Sequence, residues 1–151
     1  LGYDGSSSDY INTPTLPFDT DWTIGFAIRP ASKSVSGVIL QLRYGTDKIA
    51  SIGYSDGEVQ LYNSSDVEQA HFRVSSTPGL WHYLEFRYVF SGGVEYVYFW
   101  SNGVSQVYTV FETGGFGADN FRWISPTTIT GVNYYLDDIY ICNNNPPLNA
   151  S

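Results

Sequence analysis

Three runs of strict two-residue alternation, separated only by short turn-forming segments, constrain the fold of this chain more than any other feature. In residues 81–90, Leu84, Phe86, Tyr88 and Phe90 share one face. Ser91-Gly92-Gly93 leads into 94–101, and Asn102-Gly103 leads from there into 104–111. A period of two is the pleat of a β-strand. Asn-Gly between two such runs suits the positive φ that a type I′ turn requires at both central positions. The segment therefore reads as consecutive antiparallel hairpins.

Similar alternation covers most of the remaining chain. Residues 22–29 place Trp22, Ile24, Phe26 and Ile28 on one face and Thr23, Gly25, Ala27 and Arg29 on the other. Pro30 ends that run, because it has no N–H to give a ladder. Val38, Leu40, Leu42 and Tyr44 alternate with Ile39, Gln41 and Arg43, and further runs lie at 48–54, 59–63, 70–74, 121–124 and 134–142. No window sustains apolar residues at helical spacing, so an all-β chain of roughly ten short strands is expected, a sandwich or barrel. At 151 residues it is one domain by size, able to bury about 70% of its unfolded surface without a metal or disulfide. The domain is expected over 1–142, with a polar tail at 143–151. Residues 112–120, with Gly114, Gly115 and Gly117, form the most flexible interior stretch by composition.

Thirteen Tyr, nine Phe and four Trp suit a pleated, half-buried surface and exceed what one core needs. The formal charge is −8 and no Lys/Arg-rich run occurs, which disfavours nucleic acid and anionic membrane surfaces as partners. Cys142 stands alone, so it cannot form an intramolecular disulfide and reads as a small buried hydrophobe at a strand end. No apolar stretch approaches the roughly 20 residues needed to span a bilayer, and no signal-peptide pattern opens the sequence. Without such a signal, the sequons at Asn63 and Asn149 read as chance matches. The sequence contains no Met, so an upstream start or processing is expected.

Two groups of residues invite a chemical reading. In 134–142 the period places Tyr135, Asp137, Ile139 and Ile141 on one face, with Leu136, Asp138, Tyr140 and Cys142 on the other. With the Ile face in the core, Asp137 points inward. A buried carboxylate persists only when hydrogen-bonded or paired, so Asp137 is expected to be a structural acid accepting backbone N–H bonds. The alternative is a Ca²⁺ site completed by Asp19 or Asp21, which would need about six to eight oxygens; no metal or other cofactor is expected. In 94–101, Tyr96, Tyr98 and Trp100 share one face, and Val97, Phe99 and Ser101 the other. Only one face of a sandwich sheet lies in the core, and contiguous exposed aromatics mark ligand or subunit contacts. Tyr96, Tyr98 and Trp100 are therefore the candidate interface or ligand residues. Glu85 and Arg87, facing away from Leu84 and Phe86, read as a solvated pair.

Four segments, in order, resemble the concanavalin A-like, laminin G-like jelly-roll domains. They are Ser7-Ser8-Asp9-Tyr10-Ile11, the run from Asp21 to Pro30, Leu80-Trp81-His82-Tyr83-Leu84-Glu85-Phe86, and the closing run from Tyr134 to Cys142 with its Asp137-Asp138 pair. The combination is most similar to such domains in structural proteins of tailed phages, although Asn143-Asn144-Asn145-Pro146-Pro147 departs from the tail those usually carry. The resemblance implies two curved antiparallel sheets packed face to face. It further implies a non-catalytic virion protein, a capsid decoration or tail-appendage protein at the virion surface. Such a protein would assemble as a homo-oligomer on capsid or tail proteins, with glycans as an additional partner. The alternative is a carbohydrate-binding module of a secreted or adhesion protein, placed outside the cell and using exposed Tyr and Trp rings. Glucanases of this fold place their acids as Glu-x-Asp-x-(x)-Glu on one strand. Here Glu58, Glu68, Glu85, Glu95 and Glu112 are isolated, and His71 and His82 follow no nucleophile motif. No enzyme is expected.

Overall fold

The computed structural model describes residues 10–16, 19–31, 36–55, 57–74, 77–111, 117–124 and 134–143. Within them lie eleven strands: β1 (Tyr10–Asn12), β2 (Asp21–Pro30), β3 (Ser36–Tyr44), β4 (Asp47–Ser55), β5 (Glu58–Asn63), β6 (Glu68–Arg73), β7 (His82–Ser91), β8 (Val94–Ser101), β9 (Val104–Phe111), β10 (Asn120–Ile124) and β11 (Tyr134–Asn143). No helix occurs among the described residues. Ser7 to Asp9 of the expected first strand, loop residues 112–116, and the tail beyond Asn143 fall outside the described residues.

The strands form two antiparallel sheets, one of six in the order β1-β10-β3-β4-β5-β6 and one of five in the order β11-β2-β7-β8-β9. Alternation fills the space between them. Ile24, Phe26 and Ile28 from β2, Leu84, Phe86 and Tyr88 from β7, and Val97 and Phe99 from β8 meet Leu40, Ile52, Tyr54, Leu61, Phe72 and Trp123 from the facing sheet, all buried. Phe72 stacks on Phe99 at 3.9 Å between ring centroids, and Trp22 meets Phe121 edge-on at 5.4 Å. Such aromatic pairs add about 0.5–1.5 kcal/mol beyond their buried area. The Trp22 indole N–H donates to the Asp19 and Ala118 carbonyls at 3.1 and 3.0 Å, so its burial leaves no polar atom unpaired.

The Asn102-Gly103 hairpin forms as expected. Asn102 has φ 49° and Gly103 φ 76°, and Asn102 Oδ1 accepts the Tyr83 N–H at 2.9 Å. The closing strand differs from expectation. Its register with β2 shifts between Asp137 and Tyr140, where Asp138 takes φ 50°, a conformation that Asp tolerates better than most residues. This β-bulge reverses the alternation partway along β11. Tyr134 and Leu136 are buried before it, while Ile141 pairs with Ile24 and packs against the core after it. Two expectations are thereby corrected. Asp137 is exposed, opposite Ala27 on the outer face, and its carboxylate accepts only the adjoining Asp138 N–H at 2.9 Å among the bonds described for it. Cys142 is exposed as well, paired with Thr23 on the outer face. Among the described residues the buried acids are Glu95 and Asp19; Asp19, 6% exposed, accepts the N–H groups of Thr20 at 2.6 Å and Asp21 at 3.2 Å through Oδ1.

Candidate functional site

The outer face of the five-stranded sheet carries the alternate residues of each strand. On β8 the burial alternates as the sequence suggests. Val97 and Phe99 are 5% and 1% exposed, whereas Tyr96, Tyr98 and Trp100 are half-buried on the outside. The rings of Tyr98 and Trp100 run parallel, 6.2 Å apart at 18°. Strand register then brings β7, β2 and β11 alongside. Trp100 lies opposite Glu85, Glu85 opposite Gly25, and Gly25 opposite Tyr140; Tyr98 lies opposite Arg87, and Arg87 opposite Thr23.

Gly25 is the pivot of this surface. With no side chain there, the Tyr140 ring crosses β2 and its hydroxyl donates to Glu85 Oε2 on β7. A Cβ at position 25 would stand 2.7 Å from the Tyr140 hydroxyl and closer still to the ring. Tyr140 also stacks on Tyr83, 6.4 Å apart at 24°. Burial, followed by the hydrogen bonds to Glu85 and Tyr83, pushes the Tyr140 phenol far above the usual tyrosine range. Glu85 is thus not paired with Arg87 as expected. The Arg87 guanidinium instead makes a two-point contact with Asp21, at 2.9 and 2.7 Å, and sits 5.9 Å from the Tyr98 ring centroid. The Asp21 hydrogen bond holds Arg87 above its ordinary range. At the neighbouring end of the sheet Arg29 lies between Tyr135, at 4.2 Å, and the exposed Trp81, at 5.1 Å.

The structure therefore joins the candidate residues Tyr96, Tyr98 and Trp100 to Tyr83, Tyr135, Tyr140 and Trp81, which sequence reasoning left out. Tyr83 and Tyr135 follow from the alternation of β7 and β11 once the core face is known. Tyr140 follows from the phase that puts Ile141 inside, but its reach across β2 required Gly25 and the pairing of the strands. Asp137 lies beside this surface and takes no part in a buried network. Two glutamates of this sheet are held in hydrogen bonds. Glu85 is engaged by Tyr140, and Glu95, 2% exposed in the core, accepts the Tyr88 hydroxyl at 3.0 Å. Among the described residues no three His, Cys, Asp or Glu side chains converge as metal ligands.

No family model matches this sequence, and no curated protein matches it. Solved structures do match in fold. The botulinum neurotoxin serotype D binding domain superposes with a TM-score of 0.68 at 11% identity, covering 92% of this chain and 38% of that one. A heptameric SAP-like pentraxin from Limulus polyphemus gives 0.64 at 16%, covering 93% and 73%. The galectin LEC-6 of Caenorhabditis elegans gives 0.58 at 18%, covering 94% and 96%. The chain spans well under half the length of the neurotoxin binding domains it matches. An alginate lyase of polysaccharide lyase family 7 shares the sandwich at 0.55, with 13% identity over 81% of this chain and 58% of that one. At these identities the likeness establishes the fold. The chain is a concanavalin A-like jelly-roll β-sandwich, an architecture that serves both binding domains and enzymes.

Proposed function

We propose that this chain is a non-catalytic structural domain of a tailed-phage particle, a capsid decoration or tail-appendage domain at the virion surface. In this reading it docks on other particle proteins, and on copies of itself, through the outer face of the five-stranded sheet. The observation that carries the docking surface is the side-by-side placement of Tyr83, Tyr98, Trp100 and Tyr140 there. An antiparallel sheet normally presents polar residues to water, whereas Tyr, Trp and Arg are the residues enriched at protein contacts. Arg87–Asp21 is an ion pair and Tyr140 donates to Glu85, so each of these polar groups keeps a hydrogen-bond partner when covered. The particle itself is drawn from the resemblance of the closing strand and its companions to phage virion domains. A net charge of −8 would keep free copies soluble before assembly.

The test is the assembly state of Trp100→Ala beside the wild-type chain, by size-exclusion with light scattering and by binding to particles. A buried Trp at a contact contributes about 2 kcal/mol or more, so about thirtyfold weaker assembly or docking is expected with the fold retained. Unchanged docking defeats the proposal. The second reading is a carbohydrate-binding module of an extracellular protein, using the parallel Tyr98 and Trp100 rings as a sugar platform. Loss of glycan binding in Trp100→Ala, with assembly intact, would select it.

A further inference from the structure

The opposite side of the sandwich presents a different surface. On the outer face of the six-stranded sheet, Gly53 of β4 sits between Gln60 of β5 and Val38 of β3. Gly53 does not occupy the left-handed region that favours glycine, so what it supplies is space. Tyr62 leans diagonally over the vacant position, and a Cβ there would meet its Cε2 at 2.9 Å and the Gly37 carbonyl at 3.4 Å. Beside the Tyr62 ring lies a groove of about 400 Å³ lined by Gly37, Val38, Ser55, Gln60, Tyr62 and Asp66, within the usual size of a small-molecule site.

The chemistry of that lining is selective. Glycine backbone, Val38 and the Tyr62 ring give a flat apolar floor. The Tyr62 hydroxyl donates to Gln60 Oε1 at 2.8 Å, which fixes the amide so that its NH₂ group remains a donor; its other contact, to Glu68, is long at 3.4 Å. The phenol oxygen keeps a lone pair to accept with. Burial, then Glu68 and Asp66, raise the Tyr62 pKa, so the phenol stays neutral at physiological pH. Asp66 stands at the mouth, ion-paired with Lys48. Among the described residues no Lys or Arg lines the groove. An anionic ligand therefore finds no cation to hold it and meets an acidic chain. A wholly apolar ligand would cover the Gln60 NH₂ group and the Ser55 hydroxyl without replacing their bonds to water. A ligand with a C–H face and a fringe of hydroxyls satisfies both parts.

We propose that this groove binds a neutral saccharide, one ring seated against Val38 and Tyr62 with its hydroxyls toward Gln60, Ser55 and Asp66. The site lies on the other sheet from the docking face and does not depend on it. The test is a ¹⁵N-resolved NMR titration of the full chain with cellotriose, maltotriose, xylotriose and mannotriose, and with a sulfated disaccharide as the anionic control, to about 10 mM each, a range that detects millimolar affinity. At least one neutral trisaccharide should shift Gly53, Tyr62 and the Gln60 side-chain amide. Gln60→Ala, which removes a half-exposed side chain and leaves the core untouched, should weaken that binding about tenfold with melting temperature unchanged. Gly53→Ala should weaken it further by displacing the Tyr62 ring that forms the groove wall. The proposal is overturned if no neutral trisaccharide shifts the groove, if shifts gather at Tyr98 and Trp100 instead, or if only the sulfated probe binds.

Discussion

Replacing Gly25 by alanine sets a methyl group where the Tyr140 ring now crosses the sheet, 2.7 Å from its hydroxyl and nearer to its ring carbons. The ring is the far end of a side chain and can swing away, so the backbone survives and the cost falls on what Tyr140 gives up. Its hydrogen bond to the Glu85 carboxylate is worth about 1.5–3 kcal/mol as a charge-assisted bond, toward the lower end here because both groups are half-buried. Re-exposing part of the ring costs about 1 kcal/mol for some 40 Å². Alanine in place of glycine opposes this with about 0.4–1 kcal/mol from the reduced freedom of the unfolded chain. The net expectation is a destabilisation of about 1.5–2.5 kcal/mol, or on the order of 5 °C in melting temperature for a chain of this size. The clean measurement is a double-mutant cycle by urea denaturation. In a Tyr140→Ala background the methyl meets open space, and Gly25→Ala should reverse sign and stabilise by about 0.4–1 kcal/mol. If Gly25→Ala costs the same in both backgrounds, or stabilises the wild-type chain, Tyr140 does not lie across β2 and the aromatic surface has been wrongly assembled.

Phe86→Ala, which empties a position 1% exposed between Phe26 and Phe99, should cost about 3–5 kcal/mol in equilibrium unfolding. Asp19→Ala should cost about 1–3 kcal/mol by leaving the Thr20 and Asp21 N–H groups without their acceptor, while Asp137→Asn on the exposed bulge should stay within about 0.5 kcal/mol of wild type. The folded Tyr140 pKa lies above its unfolded value of 10.0, so its contribution is complete below about pH 10 and is lost as the unfolded chain ionises above it. Wild-type stability should therefore fall more steeply above pH 10 than that of Tyr140→Phe; equal slopes would mean that the phenol is not held protonated by Glu85 and burial.

The strands, their faces and most of the core followed from alternation alone, because a pleated sheet with one side in a core demands apolar residues at every second position. That logic placed Phe86 inside and Tyr98 outside, and it held wherever the pleat ran unbroken. It failed on β11, where a single residue at φ 50° shifts the phase. Periodicity carried across that point put Asp137 on the core face with Ile139 and Ile141, although it is exposed; the expectation of a buried Cys142, exposed as well, came from residue type. Nothing local in the sequence says that a bulge will form between Asp137 and Tyr140, since the register is set by which residues of β2 the strand must meet. The two surfaces divide in the same way. Tyr96, Tyr98 and Trp100 lie on one strand and could be read together, whereas Tyr83 and Tyr140 join them only through pairing across three neighbouring strands. The groove beside Tyr62 is less legible still, because an isolated glycine such as Gly53 in a strand gives no sign of what leans across it. Sequence sets side-chain parity along an unbroken pleat; the tertiary structure decides where bulges break it, which strands are neighbours, in what register, and so which side chains share a surface.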